Sequence, residues 1–121
     1  MSLPRGYRLT RSRDIVQVRE KGAKLNAGPY LAFFCRREES PEGPARLCVV
    51  TSRRVGNAVE RNRARRRMKA LFYGSRKEIP TGMDVVIIAR RSLPKHPQED
   101  LVRRFAKTVR RMQAMGPTSQ D

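Results

Sequence analysis

The sequence has no tryptophan, a single histidine and only 11 acidic residues, and these shortages argue against several kinds of enzyme. A free-standing nuclease needs clustered carboxylates that hold metal, or a pair of proton-transfer groups. Here Asp14 and Asp84 are isolated, and His96 lies in a Pro-flanked loop that predicts a solvated side chain. We expect Asp84, at the start of an apolar segment, to bond arginine or backbone instead of metal. The sequence therefore predicts a binding protein without catalytic residues or metal ligands of its own.

Long apolar runs are also missing. No run approaches the ~18 residues that cross a bilayer, and the opening MSLPRGYRLTRSR lacks the apolar core of a secretory signal. We therefore expect a cytoplasmic protein. The two cysteines, Cys35 and Cys48, lie in strand-like segments and are expected to be reduced core thiols. A disulfide between neighbouring strands is the alternative.

Positive charge is abundant. The 28 Lys and Arg residues give a net charge of +17, and only 38% of the 121 residues are apolar. The length predicts one domain over residues 1–121, with residues 1–8 and 116–121 loosely held. Such a charge indicates a polyanionic partner. We favour nucleic acid over an anionic membrane, because a membrane helix needs bulky apolar residues where this chain has Ala64 and Met68.

The most basic segment, residues 52–73, predicts a helix with two different sides. Within this segment the helix follows a turn at Val55-Gly56-Asn57, and no further Gly or Pro occurs until Gly74. Helical spacing predicts a buried stripe, and it places polar and basic residues on the opposite side. The buried stripe is Ala64, Met68 and Leu71; the opposite side carries Asn62, Arg65, Arg66 and Lys69.

Other segments predict two further helices and three strands. A short first helix is expected to be capped by Thr10 or Ser12 and to end before Gly22, with Ile15 and Val18 buried. Residues 30–35 and 46–51 predict strands that pair as an antiparallel hairpin. Residues 83–89 predict a central strand buried on both faces. A last helix starts at Pro97 and ends at Gly116-Pro117; its expected buried residues are Leu101, Phe105, Val109 and Met112.

The resulting order, α-β-β-α-β-α, predicts an α+β domain with a small mixed sheet, in which the basic helix is a crossover between two strands. The zinc ligands, heptads and glycine-rich loop of several nucleic-acid-binding families are missing. Arginines in the basic helix indicate contacts with phosphates of a folded RNA. Tyr30, Phe33 and Phe34 could stack on unpaired bases. The alternative is that these rings fill the core.

The run RVGNAVERNRARR resembles the protein subunit of bacterial ribonuclease P. That family has an RNR signature, which matches Arg61-Asn62-Arg63 here, followed by a basic pair that matches Arg65-Arg66. Weaker resemblances are Tyr7-Arg8-Leu9 with Asp14-Ile15, and the strand DVVIIAR at residues 84–90. The similarity spans nearly the whole chain in order.

The resemblance implies an α-β sandwich of the ribosomal protein S5 domain 2 type, with a left-handed crossover through the basic helix. It implies that the catalyst is the partner RNA with bound Mg²⁺, and that one protein molecule joins each complex. The implied contacts with the RNA subunit are Arg53, Arg54, Arg61, Asn62, Arg63, Arg65, Arg66 and Lys69.

A cleft between the first helix and the sheet is implied to take the single-stranded 5′ leader of precursor tRNA. Its implied residues are Ile15, Arg19, Tyr30, Phe33 and Phe34. The chain departs from the family where Ile15 replaces a usual Phe and Arg19 replaces a frequent aromatic residue. A purely structural protein that binds ribosomal RNA is the alternative function.

Overall fold

A computed structural model describes residues 2–115 and confirms the α+β class. Short 3₁₀ turns lie at Arg5–Tyr7, Arg53–Val55 and Leu93–Lys95. The helices are α1 (Ser12–Lys21), α2 (Ala58–Gly74) and α3 (Gln98–Met115), and the strands are β1 (Ala23–Asn26), β2 (Tyr30–Arg36), β3 (Arg46–Val50) and β4 (Met83–Ala89). Strand β1 was not predicted, because AKLN is short and contains neither aromatic nor β-branched residues.

The strands form one mixed sheet in the order β1-β2-β4-β3. Strand β4 pairs antiparallel with β2 and parallel with β3. The predicted hairpin between β2 and β3 is therefore wrong, since β4 lies between them. The physical reason is burial: six of the seven residues of β4 are buried, so it takes a central place, whereas β3 is mostly half-buried and lies at an edge. The β3–α2–β4 crossover is confirmed.

Alternating residues of the sheet build two cores. On one face, Phe34, Val85 and Ile87 pack with α2 and α3; we call this the helix face. On the other, Phe33 and Val86 pack with Val18 of α1; we call this the α1 face. The helix face holds the larger core, and its α3 residues are those predicted: Leu101, Phe105, Val109 and Met112.

The segment before α1 contacts the rest of the domain at three residues, while most of its side chains are exposed, and the loose hold predicted for residues 1–8 stays a prediction. Leu3 is buried, and the ring of Tyr7 meets that of Tyr73 edge-on at 5.4 Å between centroids. Arg8 donates from Nε to the carbonyl of Leu3 at 2.6 Å, and its backbone bridges to Leu47. The predicted loose residues 116–121, with the Gly116-Pro117 stop, lie outside the described residues, as does residue 1.

Helix α1 begins differently from the prediction. Ser12 is already helical, and the capping position is Arg11, with no side-chain hydrogen bond, so neither Thr10 nor Ser12 caps the helix. Gly22 follows its end as predicted. A Cβ at Gly22 would lie 2.4 Å from the carbonyl oxygen of Val18, so this position has no room for a side chain. Val18 is buried, and Ile15 is half-buried on the α1 face.

The two cysteines are free thiols on strands that do not touch. Cys35 belongs to β2 and Cys48 to β3, with β4 between them. This separation rules out the alternative of a disulfide between neighbouring strands. Both thiols are half-buried on the α1 face, and burial raises the pKa of each.

Candidate nucleic-acid interface

The start of α2 is fixed by its own sequence. The side-chain oxygen of Asn57 accepts a hydrogen bond from the backbone N–H of Glu60 at 2.9 Å, which caps the helix. Gly56 has φ of 144°, and a Cβ there would lie 2.1 Å from Oε1 of Glu60. The turn therefore requires glycine, and it sets the direction in which α2 leaves β3.

The buried stripe of α2 agrees with its predicted spacing in two of three positions. Ala64 and Met68 have no exposed surface, and Phe72 completes the stripe. Leu71, predicted as the third member, is half-buried beside it. Packing on the sheet thus leaves most of the circumference of α2 to other contacts.

Two arginines of α2 and two of the turn before it are exposed. Within residues 2–115, none of their guanidinium groups makes a hydrogen bond or ion pair with another residue. Val59, 72% exposed, lies among them. Unpaired guanidinium groups at this density repel one another and favour an anionic partner. We call the four exposed arginines the arginine surface: Arg53, Arg54, Arg63 and Arg66.

The other predicted RNA contacts are held more closely by the fold. Arg61 donates to the carbonyl of Gly56 at 2.7 Å, and Arg65 donates to Oδ1 of Asn62 at 2.8 Å. Lys69 is half-buried and close enough to Cys48 to oppose the effect of burial on the pKa of that thiol. Each guanidinium keeps donors for a phosphate, because arginine has five. The side chains of Arg61, Asn62 and Arg65 are therefore oriented before any partner binds.

Arg67 has a structural role that sequence reasoning did not assign. From Nη1 it donates to the carbonyls of Leu93 and Pro94 at 2.8 and 3.1 Å. From Nη2 it donates to the carbonyl of His96 at 2.6 Å and to Oε1 of Gln98 at 2.8 Å. Burial, and then the nearby charge of Arg63, lower its pKa. Its position three residues after Ala64 on the flank of the buried stripe was the available signal.

We expect Arg67→Ala to lower the free energy of unfolding by about 1.5–3 kcal/mol, because four carbonyl and amide acceptors lose a charged donor. Arg66→Ala is the matched control. Its side chain is exposed and unpaired within residues 2–115, so we expect a change within about 0.5 kcal/mol. Urea unfolding of both variants measures the difference. Equal losses of unfolding free energy in the two variants would show that Arg67 does not hold the turn at residues 93–95.

A second candidate surface lies on the α1 face. Phe33 is 9% exposed there, and the charged groups of Arg19 and Lys24 lie 5.7 and 5.8 Å from its ring centroid. Val16, 50% exposed, lines the same depression. A row of half-buried apolar side chains adjoins Phe33 along the sheet, and α1 does not bury it. We call it the open row: Leu31, Ile88 and Val50.

The prediction of exposed cleft residues is wrong for two aromatic side chains. Tyr30 and Phe34 have no exposed surface, because the register of β2 turns residues 30, 32 and 34 towards the helix face. The hydroxyl of Tyr30 lies 2.7 Å from Oγ1 of Thr108, and burial raises the pKa of Tyr30 to about 12. The core-filling alternative therefore holds for these two rings. Phe33, Ile15 and Arg19 lie at the α1 face.

The buried carboxylate of Asp84 is held by arginine, as predicted. It is 3% exposed and accepts hydrogen bonds from Arg37 at 3.0 Å and from Nε and Nη2 of Arg46, both at 2.8 Å. The hydrogen bond to Asp84 raises the pKa of Arg46. Asp14 lies 3.6 Å from Arg46. This network joins β2, β3 and β4 at one end of the α1 face.

His96 is not simply solvated, which corrects the prediction. It is half-buried, and its Nε2 lies 2.5 Å from Oδ2 of Asp100. Arg104 and Arg103 also donate to Asp100, and with His96 they hold the pKa of that carboxyl well below its usual range. Within residues 2–115, no cluster of His, Cys, Asp and Glu could hold a metal ion, and no helix there is long and apolar enough to cross a membrane.

The model of the family described as Ribonuclease P matches residues 3–113. The chain belongs to the ribonuclease P protein family. A ribonuclease P protein component from Oleidesulfovibrio alaskensis is 35% identical over 92 residues, which cover 75% of this chain and 72% of that protein. The one from Gluconacetobacter diazotrophicus is 31% identical over 113 residues, covering 93% and 96%. Membership in this family supports a role in tRNA 5′ processing.

Solved structures agree with the ribonuclease P fold. A mutant ribonuclease P protein from Staphylococcus aureus superposes with a TM-score of 0.77 at 21% identity, over 88% of each chain. The ribonuclease P protein from Thermotoga maritima superposes with a TM-score of 0.73 at 24% identity, over 86% of this chain and 96% of that one. The four-stranded mixed sheet with three helices is therefore the fold of this family.

Proposed function

We propose that the chain is the protein subunit of the ribonuclease P ribonucleoprotein. In this role it binds the catalytic RNA and the 5′ leader of precursor tRNA, and it assists the endonucleolytic removal of that leader. Family membership supports the assembly, and the net charge of +17 suits a protein surrounded by RNA. It would act as a monomer in the complex, in the cytoplasm.

The arginine surface is the observation on which the proposal rests. Arg53, Arg54, Arg63 and Arg66 are exposed and unpaired within residues 2–115, and Arg63 belongs to the Arg61-Asn62-Arg63 motif. Guanidinium groups bind two phosphate oxygens at once, so this geometry suits the crowded backbone of a folded RNA. Arg61, Asn62 and Arg65 would add contacts whose orientation the fold already fixes, and Lys69 would add a further cation. This side of α2 would dock on the RNA subunit.

The α1 face would take the single-stranded leader. Phe33 offers the small exposed part of a ring that has two cations over it, and the open row offers apolar surface to unpaired bases. Ile15 and Arg19 border the same face, with Arg19 supplying attraction for phosphates. Tyr30 and Phe34 would not contact the leader because they are buried.

In this proposal the RNA partner carries out the cleavage reaction. Since no cluster of metal-ligating side chains occurs within residues 2–115, we propose that the Mg²⁺ ions that assist cleavage are bound mainly by the RNA. The protein would supply positioning and positive charge. Its described residues then need no nucleophile or general base.

Reconstitution tests the proposed function. A bacterial ribonuclease P RNA is mixed with precursor tRNA at low Mg²⁺, with and without the protein, and leader removal is followed over time. We expect the protein to accelerate cleavage and to cleave nothing by itself. RNA binding without stimulation would favour the alternative, a structural protein of ribosomal RNA. Cleavage without any RNA partner would indicate an autonomous nuclease.

We expect Phe33→Ala to weaken binding of precursor tRNA about 10-fold, since stacking on one aromatic ring contributes about 1–3 kcal/mol. Affinity for mature tRNA, which has no leader, should not change. Tyr30→Phe is the control, because it removes only the buried hydroxyl that meets Thr108. Affinities are measured with the assembled ribonucleoprotein. Equal losses for both RNAs would place Phe33 outside the leader site.

A further inference from the structure

A second cationic surface lies on α3, outside the residues assigned above. Four basic residues follow helical spacing on the side opposite the buried residues Leu101, Phe105 and Met112, and all four are exposed. We call them the α3 stripe: Arg103, Lys107, Arg110 and Arg111.

Most of the α3 stripe is unpaired. Arg103 donates to Asp100, but within residues 2–115 no side chain bonds to those of Lys107, Arg110 or Arg111. The two acidic residues of α3 lie in its first turn, and none follows between positions 101 and 115. The helix dipole favours cations only near the last turn, so it does not account for Lys107. Three adjacent unpaired cations repel one another unless an anion lies between them.

The α3 stripe belongs to the same side of the molecule as the arginine surface. Both α2 and α3 pack on the helix face of the sheet. Arg67 of α2 meets Gln98 at the start of α3, and Gln113 near its end donates to the carbonyl of Glu78, just after α2, at 2.8 Å. The two helices therefore lie alongside each other and run in similar directions. One large polyanion could cover both.

We propose that the α3 stripe is a second phosphate-binding surface, and that the backbone of the RNA docked on α2 continues across it. The inference rests on the proposed function, because it takes the RNA subunit as the occupant. Recognition would be by charge and backbone shape, since the α3 stripe has no aromatic residue to stack on bases. A membrane surface is disfavoured: Val102, 45% exposed, is the one large exposed apolar side chain on the described part of α3.

The test removes three charges from the α3 stripe of the full chain with Lys107→Gln, Arg110→Gln and Arg111→Gln together. The control triple, Arg5→Gln, Lys21→Gln and Lys77→Gln, removes the same charge from exposed side chains that are unpaired within residues 2–115. Binding to a bacterial ribonuclease P RNA is measured across a salt series. Circular dichroism checks that the helical content and melting temperature of each variant equal those of the wild type.

We expect the α3 variant to bind the RNA at least 10-fold more weakly and to lose about 2–3 from the log–log salt slope, given a slope of about 0.9 for each phosphate contact on a duplex. The control triple should bind within about 3-fold of the wild type. Equal losses in the two triples would overturn the proposal, because the effect would then be diffuse charge. A folded α3 variant with wild-type affinity would overturn it as well.

Two further arms separate this proposal from its alternatives. If the wild type binds no ribonuclease P RNA, the proposed function fails, and a 20-base-pair RNA duplex of arbitrary sequence then tests the α3 stripe alone. Weaker binding of the α3 variant to that duplex would support a phosphate-binding surface. If the variant loses binding to vesicles of phosphatidylglycerol and phosphatidylcholine while keeping its RNA affinity, the surface recognises lipid and the proposal is wrong.

Discussion

Replacing Arg53, Arg63 and Arg66 by alanine together is expected to weaken binding to the RNA subunit by about 100-fold. Each exposed guanidinium is unpaired within residues 2–115, so its removal takes away a phosphate contact and leaves no buried group unsatisfied. At about 1 kcal/mol for each contact, three contacts correspond to two orders of magnitude in the dissociation constant. The salt slope should fall by about 2–3 as well, because fewer counterions are released. Filter binding across a salt series measures both quantities.

The stability of the same variant separates binding from folding. All three side chains are exposed, so we expect the free energy of unfolding to change by no more than about 1 kcal/mol in total. The control triple at Arg5, Lys21 and Lys77 matches the loss of charge and should keep nearly all of the RNA affinity. A variant that binds RNA normally would remove α2 from the interface. A variant that unfolds would give the arginine surface a structural role.

Asp84→Asn is expected to lower the free energy of unfolding by about 3 kcal/mol or more. Asp84 is 3% exposed and receives three hydrogen bonds from Arg37 and Arg46. The amide keeps the shape of the carboxylate but leaves Arg37 without its counter-charge and Arg46 with only Asp14, at 3.6 Å. Breaking a buried ion pair in this way typically costs about 3–5 kcal/mol. Urea unfolding at neutral pH measures the loss.

Asp14→Asn is the matched control for Asp84. Asp14 also pairs with Arg46, at 3.6 Å, but its side chain is 23% exposed, against 4% for Asp84. Pairs that retain access to water contribute about 1 kcal/mol or less, so we expect a small change. If the two variants unfold at the same urea concentration, the Asp84 network does not hold the three strands together.

Local pattern predicted much of the fold. The bounds of α2 follow from the turn at Val55-Gly56-Asn57 and from a segment without Gly or Pro up to Gly74, and the buried side of α3 follows from helical spacing. Strand order did not follow, because β2 and β3 are close in sequence and the insertion of β4 between them depends on packing distant parts of the chain. The prediction of a hairpin rested on the closeness of β2 and β3 in sequence, whereas burial of the apolar β4 determines the order of the strands in the sheet.

In the candidate site, too, some features follow from local sequence and others depend on the packing of distant segments. The RNR motif was assigned by resemblance to a known family, whereas the exposed position of Arg66 follows from helical spacing. The aromatic cleft depends on the register of β2, in which a shift of one residue exchanges the two faces of the sheet. That register buries Tyr30 and Phe34 and leaves Phe33 on the α1 face. Arg67 was missed because its position on the flank of the buried stripe does not show which distant carbonyls its side chain reaches.

If α2 docks on the RNA subunit and the α1 face takes the leader, the protein has two separate RNA surfaces, and photo-crosslinking from a single site on each tests this most directly. A photoreactive amino acid is placed at Asn62 on α2, or at Leu31 in the open row, in complexes of the protein, a bacterial ribonuclease P RNA and precursor tRNA. We predict crosslinks from position 62 to the ribonuclease P RNA and from position 31 to the 5′ leader. Crosslinks from position 62 to the leader, or from both positions to the same RNA segment, would contradict the account.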